Sequence, residues 1–575
     1  DNCDISLIAY DGTDWTATGF LVSTSGTVNA TAVNIDQCQT GVYWINGSGS
    51  FDGGTITNPI GDGFYAYNGS TVKSTRPKHL PDGIAGIQAN PDKATMQVSL
   101  TNSIITGNSA TDSWGVGAFS TSADPVELEI SYCAISDWDY GIYVYDYGGP
   151  ADVTMHYNRL ATNNYAITST VANLQDGSTN SYGVNGASAV AALIDGNIDY
   201  TPWIGSSTDT DPGTTGFQPS LAVLYVDDDS PQFGSVMRIQ EALGLVDDAK
   251  GGSIYAVDGT YYESVNFDGR GCLLASLYEL DSVDDHIVNT IIDANSDSLG
   301  AVDTASAVYF VNGEGAASTL KGFTLVNGFG TINPDDLDRR TGGAILCDGS
   351  SPTIERCVIA GNNAVRGGGI GLIDASPTIN NCTIVGNDAP TGGGISMDDA
   401  SKPEINRTIV AFSTEGAAVE CVDGASQPDI SCTDIYGNNL GNWVDCIAGL
   451  DTLNNNLTEN PLFCDKDNGD YYIDQVSYCA ADNSPCFELI GALGVGCSGN
   501  YICGDANSDG VVDVSDAVYI INYAFAGGPA PDPIASADAN CDSVIDVSDA
   551  VYIINYAFSG GNPPCDTDGN GIPDC

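Results

Sequence analysis

At 575 residues the chain is too long for one ordinary domain, and two to four are expected. Its 75 Asp+Glu against 16 Lys+Arg give a formal net charge of −59. That balance excludes nucleic acid and anionic membranes as partners, because both need Lys/Arg clusters, and it favours cations, Ca²⁺ above all. Eleven of the 18 Cys fall between Cys421 and Cys575, a density that suits an oxidising compartment and disulfides in the C-terminal third. The chain begins at Asp1 without a basic or apolar leader and reads as a secreted, mature product. No apolar run approaches the ~18 residues of a membrane span.

Short β-branched runs between Gly and small polar residues predict many short strands and tight turns. Residues 1–204 carry this texture irregularly, in "TNSIITGNSA" (101–110) and "ISYCAISDWDYGIYVYD" (130–146). Trp138 and four Tyr crowd 137–149, and strand alternation puts half of them outside, where rings can stack on sugars. Ordinary strand propensity explains them as well. Residues 205–220, "GSSTDTDPGTTGFQPS", read as a linker.

From 221 to 500 a repeat emerges. "GGAI" (342–345), "GGGI" (367–370) and "GGGI" (392–395) recur every 25 residues, as do "SPTI" (351–354) and "SPTI" (376–379). Ile359, Ile384 and Ile409 keep that step. Such a period suits one coil of a parallel β-solenoid, in which apolar residues returning at one register stack into a core. Asn362 and Asn387 are placed to stack as an amide ladder. Cys357, Cys382 and Cys432 share the step and are expected as inward thiols rather than disulfides. In 235–246, Val236, Ile239, Leu243 and Val246 predict one apolar helical face.

With "YVDDDS" (225–230), "GGSIYAVDGTYYESVNF" (251–267) and "LKGFTLVNGFG" (320–330), these coils resemble the secreted right-handed parallel β-helix family of pectate-lyase-like fold. The resemblance implies an all-β chain in two β-helix sections, with the helix near 235–246 covering the open end of the second. "NPLFCDKDNGDYYI" (460–473) resembles a closing segment.

Residues 501–562 contain "DVSDAVYIINYAF" twice, at 513–525 and 546–558. In the loop that runs into the first copy, 505–516, Asp505, Asn507, Asp509, Asp513 and Asp516 occupy positions 1, 3, 5, 9 and 12, with the Val511 carbonyl at 7 and Gly510 at 6. Asp538, Asn540, Asp542, Val544, Asp546 and Asp549 repeat the pattern, with Ser543 in place of the glycine. This is EF-hand spacing with Asp at position 12: alternate positions turn oxygens inward around a hard cation. Two such loop–helix units resemble a type I dockerin, a small α-helical module. The resemblance implies Ca²⁺ as cofactor and a protein partner, a cohesin, gripped by either copy. Its recognition positions fall on Val514/Ser515 and Val547/Ser548. The expected contact face adds Tyr519, Ile520 and Tyr523, and Tyr552, Ile553 and Tyr556. That face is apolar, which points instead to docking on this chain's own β-helix or on a neighbouring copy of the chain. The tail 563–575 offers Asp566, Asp568, Asn570, Ile572 and Asp574, and resembles a shortened thrombospondin type 3 calcium repeat. Cys565 pairs with either Cys575 or Cys541.

No catalytic residues are assigned. Arg339/Arg340 is the only adjacent basic pair, and the acids Asp227, Asp228, Asp229, Asp284 and Asp285 are no more than composition predicts. His79, His156 and His286 have no metal-ligand spacing. The expectation is a secreted, calcium-binding structural scaffold, self-assembling head to tail into a filament through the module. The alternative is a dockerin-borne polysaccharide lyase or glycosidase, or a glycan-binding adhesin, with polysaccharide as a further partner.

Overall fold

Short strands parted by tight turns bury no apolar face alone, but they do so by stacking coil on coil. The computed structural model describes residues 3–6, 18–23, 27–36, 40–45, 48–57, 62–68, 96–107, 113–120, 126–146, 150–294, 305–333, 336–497, 503–507, 511–529, 531, 534–541 and 544–565. In the first section, sheet I has five strands from Cys3–Ser6 to Ala134–Ser136. Sheet II has seven from Thr18–Ser23 to Ile194–Asp195, and sheet III seven from Thr27–Thr31 to Ile198–Asp199. Neighbours pair in parallel throughout, one strand of each sheet per coil.

The second section repeats the plan. Sheet IV runs from Trp203–Ile204 to Asp429–Ser431, sheet V from Gly259–Tyr261 to Asp434–Tyr436, and sheet VI from Val265–Asn266 to Val419–Cys421. Inward columns such as Ile354–Ile379–Ile405–Ile430 and Ile345–Ile370–Ile395–Val419 are buried in strict register. The GGAI and GGGI glycines are explained by close approach: a Cβ on Gly343 would lie 1.9 Å from the Gly368 carbonyl oxygen of the next coil, and one on Gly368 2.6 Å from that of Gly393. The amide ladder forms, with Asn362 Nδ2 donating to Asn387 Oδ1 at 3.0 Å.

Three expectations change. The coil after Asn380 has 26 residues, because Thr378 pairs with Glu404. Ile384 therefore stacks on Val410, and Ile409 stacks on Thr383. By the same shift the inward column is Cys357, Cys382, Thr408, Thr433, all buried. Cys432 instead shares the left-handed corner of Arg356, Asn381 and Arg407, and it is disulfide-bonded. Thirdly, the helix is Arg238–Leu245, so Val236 precedes it and is 52% exposed, while Ile239, Ala242 and Leu243 are buried. Glu263 holds the helix start, accepting from the Ile239 and Gln240 N–H groups at 3.0 Å each.

The two sections meet directly. Trp203–Ile204 pairs antiparallel with Val223–Val226, and Trp203 stacks on Tyr225 at 5.4 Å. Between them, within 205–220, Phe217 is buried and its N–H donates to the Tyr132 carbonyl at 2.8 Å. Both sections lie in one compact unit, Asp1–Thr458, and Glu459–Cys575 forms another. The segment 460–497 thus groups with the C-terminal unit, where the Cys464–Cys497 disulfide ties strands Phe463–Asp465 and Val495–Cys497. Among the described residues, no helix is long and apolar enough to cross a membrane.

Candidate calcium and docking module

Each repeated segment opens a 13-residue helix, Val514–Ala526 and Val547–Ser559. Asp513 and Asp546 cap them, accepting from the Ser515 and Ser548 N–H groups at 2.7 Å. Asp516 and Asp549, three residues on, bond back to the N–H of Asp513 and Asp546 at 2.9 Å, completing a capping box in each copy.

The same two carboxylates reach across the loop. Asp516 accepts from the Asn507 N–H at 3.1 Å, and Asp549 from the Asn540 N–H at 3.2 Å. Loop positions 3, 9 and 12 are therefore drawn together twice, in matching geometry. The Asn507 amide donates to the Ser515 hydroxyl at 2.8 Å and the Asn540 amide to the Ser548 hydroxyl at 2.9 Å. Asp516 and Asp549 are fully buried. No Lys, Arg or His occurs anywhere between 467 and 575. A buried carboxylate needs compensating charge, and the module brings none of its own. A divalent cation suits the oxygen-only donor set.

Asp509 and Asp542 lie outside the described residues, as do Gly510, Ser543 and the tail positions Asp566, Asp568, Asn570, Ile572 and Asp574. Cys565 is bonded to Cys541 rather than Cys575.

The contact face needs correction. Ile520 and Ile553 are fully buried, packed with Ala506, Ala517, Ala539 and Ala550 in the small core of the module. Tyr519 and Tyr552 lean on that core and are half-buried, as is Tyr523, whereas Tyr556 is exposed. Val514 and Val547 are exposed; Ser515 is exposed and Ser548 half-buried, their hydroxyls bonded to Asp513 and Asp546. The open face carries residues the sequence reading passed over: Val518, Ile521 and Phe525, with Val551, Ile554 and Phe558. With Val514 and Val547 they step by 4, 3 and 4, one stripe along each helix. Phe525 is 68% and Phe558 71% exposed.

Other sequence candidates resolve as structure. Asp227 is buried and accepts from the Asp229 N–H at 3.1 Å, and Asp228 accepts from the Thr260 N–H at 2.8 Å. Trp138 lies inside the coil and donates to the Ile105 carbonyl at 3.2 Å. Tyr140 stacks on Tyr165 at 5.4 Å and on Tyr143 at 5.1 Å, so these rings cover one another's faces.

A comparison with curated proteins finds no match. The family model "Right handed beta helix region" matches residues 18–197, the less regular section, and "Dockerin type I domain" matches residues 503–557. Type I dockerin domains bind calcium and dock on a protein partner such as a cohesin. The chain is thus a parallel β-helix protein that carries a C-terminal type I dockerin domain.

Proposed function

We propose that this chain is a secreted structural component of an extracellular assembly, held in place by its dockerin. Asp505, Asn507, Asp509, Asp513 and Asp516, with the Val511 carbonyl, hold one Ca²⁺. Asp538, Asn540, Asp542, Asp546 and Asp549, with the Val544 carbonyl, hold the second. The ions fix the loops, and the loops fix the helix starts. The observation that carries the reading is the pair of identical exposed stripes, Val514–Val518–Ile521–Phe525 and Val547–Val551–Ile554–Phe558. Exposed apolar surface of this kind marks a protein contact. The partner therefore presents an apolar surface, and two equivalent stripes let it be met in two orientations. Disulfides such as Cys421–Cys446 and Cys541–Cys565 support an extracellular site of action.

Sedimentation velocity of the pure protein, in millimolar Ca²⁺ and then in excess chelator, tests this. Species above the monomer in Ca²⁺ alone identify the partner as a second copy and support the filament. A monomer in both, captured by immobilised cohesins only with Ca²⁺, identifies a cohesin. A monomer that no cohesin captures refutes the docking role.

A further inference from the structure

Two thiols stand one above the other inside the second β-helix section. Cys357 and Cys382 are both fully buried, and neither is in a disulfide. The segments on either side of them pair in register: Glu355 with Asn380 in sheet IV, and Val358 with Thr383 in sheet V. Between those pairs the Thr383 N–H donates to the Cys357 carbonyl at 2.9 Å. The two side chains also take one direction. Cys357 Sγ lies 3.3 Å from the Glu355 carbonyl oxygen and 3.9 Å from that of Leu320 in the coil before. Cys382 Sγ lies 3.3 Å from the Asn380 carbonyl oxygen and 3.7 Å from that of Ile354 in the coil before. Sulfur therefore stacks on sulfur at about one coil step, ~4.8 Å.

We infer that Cys357 and Cys382 bind one soft, thiophilic metal ion of the copper(I) type between them, stapling two coils together. Spacing disfavours a disulfide. That bond needs Cβ atoms ~3.5–4.5 Å apart, whereas side chains stacked in register keep the coil step of ~4.8 Å. Two metal–thiolate bonds of about 2.3 Å laid end to end span ~4.6 Å, so a bridging ion needs almost no movement of the coils. Donor type and number select the ion. Calcium takes oxygen ligands and zinc takes four ligands, while sulfur donors favour soft copper(I). Ile354, Ile359, Ile379 and Ile384 pack in the same buried cluster, and such apolar walls suit an ion that sheds its water easily. Binding breaks one S–H bond. That proton goes to solvent, its sulfur binds as thiolate, and the other sulfur adds through a lone pair. The site stays neutral, as an apolar interior requires, and no oxidation state changes. Burial opposes ionisation of both thiols, but the Cys382 hydrogen bond lowers the Cys357 value while Cys382 is held well above its usual one. The pair thus gives up one proton more readily than two. This site is independent of the docking role.

The next two coils supply the variants. Thr408 and Thr433 continue the column, buried, with hydroxyls donating to the carbonyls two residues back at 3.0 Å each. Cys357→Thr and Cys382→Thr therefore introduce a side chain the column already holds, and both are expected to keep the parent's melting temperature. The test is anaerobic competition for copper(I), kept reduced by ascorbate, between the full chain and a coloured copper(I) chelator. It is run on the folded chain after warm incubation and on the chain refolded with the ion and its disulfides intact, so that slow entry does not mask binding. The parent is expected to hold one ion and to melt at higher temperature with it. Each threonine variant binds at least a hundredfold more weakly. X-ray absorption of the loaded parent, which needs no variant, is expected to show copper with two sulfur neighbours and no nitrogen or oxygen. The proposal is overturned if neither route leaves an ion on the chain, if either variant binds as tightly as the parent, or if the copper has other neighbours. It also falls if peptide mapping of the isolated chain finds Cys357 and Cys382 joined to each other.

Discussion

Asp516 and Asn387 are both buried polar side chains, and they do opposite work. Asp516 bridges two backbone N–H groups at the ends of one loop, at 2.9 and 3.1 Å, in a module without a basic residue. Its charge matters more than its shape. Asp516→Asn is expected to weaken Ca²⁺ at that loop at least tenfold and to cut the calorimetric stoichiometry from two ions to one. Asn387 is neutral, and its bonds are to the coil: its Oδ1 accepts from the Asn362 N–H at 2.9 Å, and its Nδ2 donates to the Ile359 carbonyl at 2.8 Å. Asn387→Ala strands both partners in a dry interior and is expected to cost about 2–3 kcal/mol in denaturant unfolding. Both residues were legible in the sequence, since loop spacing marks the first and the repeat step the second. Cys432 was not. It matches Cys382 at twice the 25-residue step, and only the extra residue before Glu404 moves it to a corner.

Helix phase was the harder problem at the scale of elements. "AVYIINYAF" is apolar nearly all round, so its periodicity does not tell the core face from the contact face. The deciding constraint is the capping box, which turns Asp516 inward and takes Ala517 and Ile520 with it. The tyrosines flanking Ile520, which the periodicity alone puts on the contact face, partly shield the core instead. In the β-helix the alternation of buried and outward positions was clear, and the coils were readable wherever the step stayed constant. The identity of the two dockerin stripes carries a prediction. Phe525→Ser alone leaves one intact stripe and is expected to weaken partner binding by no more than about twofold. Phe525→Ser with Phe558→Ser removes both and is expected to weaken it at least a hundredfold, because hot-spot aromatics dominate such contacts. Titration of the single and double variants against the captured partner checks the ratio.

Across the whole chain, the two units differ in what stabilises them, and conditions separate them. Where the β-helix sections meet, burial holds the Asp199 carboxyl up at about 6, that of Glu263 at about 7 and that of Glu241 at about 8, the last pushed further by Asp199 and Asp176. Among the described residues, Arg238 is the cation that offsets Glu241 and Glu263. A carboxyl whose folded value exceeds its unfolded value binds more protons when folded. Its contribution is present at low pH and is lost as pH rises through the folded value. His286 acts in the same sense: burial opposes its charge, but Asp258 at 2.5 Å and Asp281 at 3.2 Å outweigh that and raise it. The β-helix unit is therefore expected to melt at lower temperature at pH 8 than at pH 5. Glu241→Gln should recover on the order of 1–2 kcal/mol at pH 8, after discounting for residual exposure, and nothing at pH 4. The dockerin answers to a different variable, because its loops lack the charge that only a cation supplies. Calorimetry in excess chelator should lower the transition of the C-terminal unit and leave the β-helix transition where it was. Raising the pH in saturating Ca²⁺ should move the β-helix transition alone. If chelator and pH shift both transitions together, the acids at the section junction and the calcium loops stabilise one cooperative structure, and the assignment of each to its own unit is wrong.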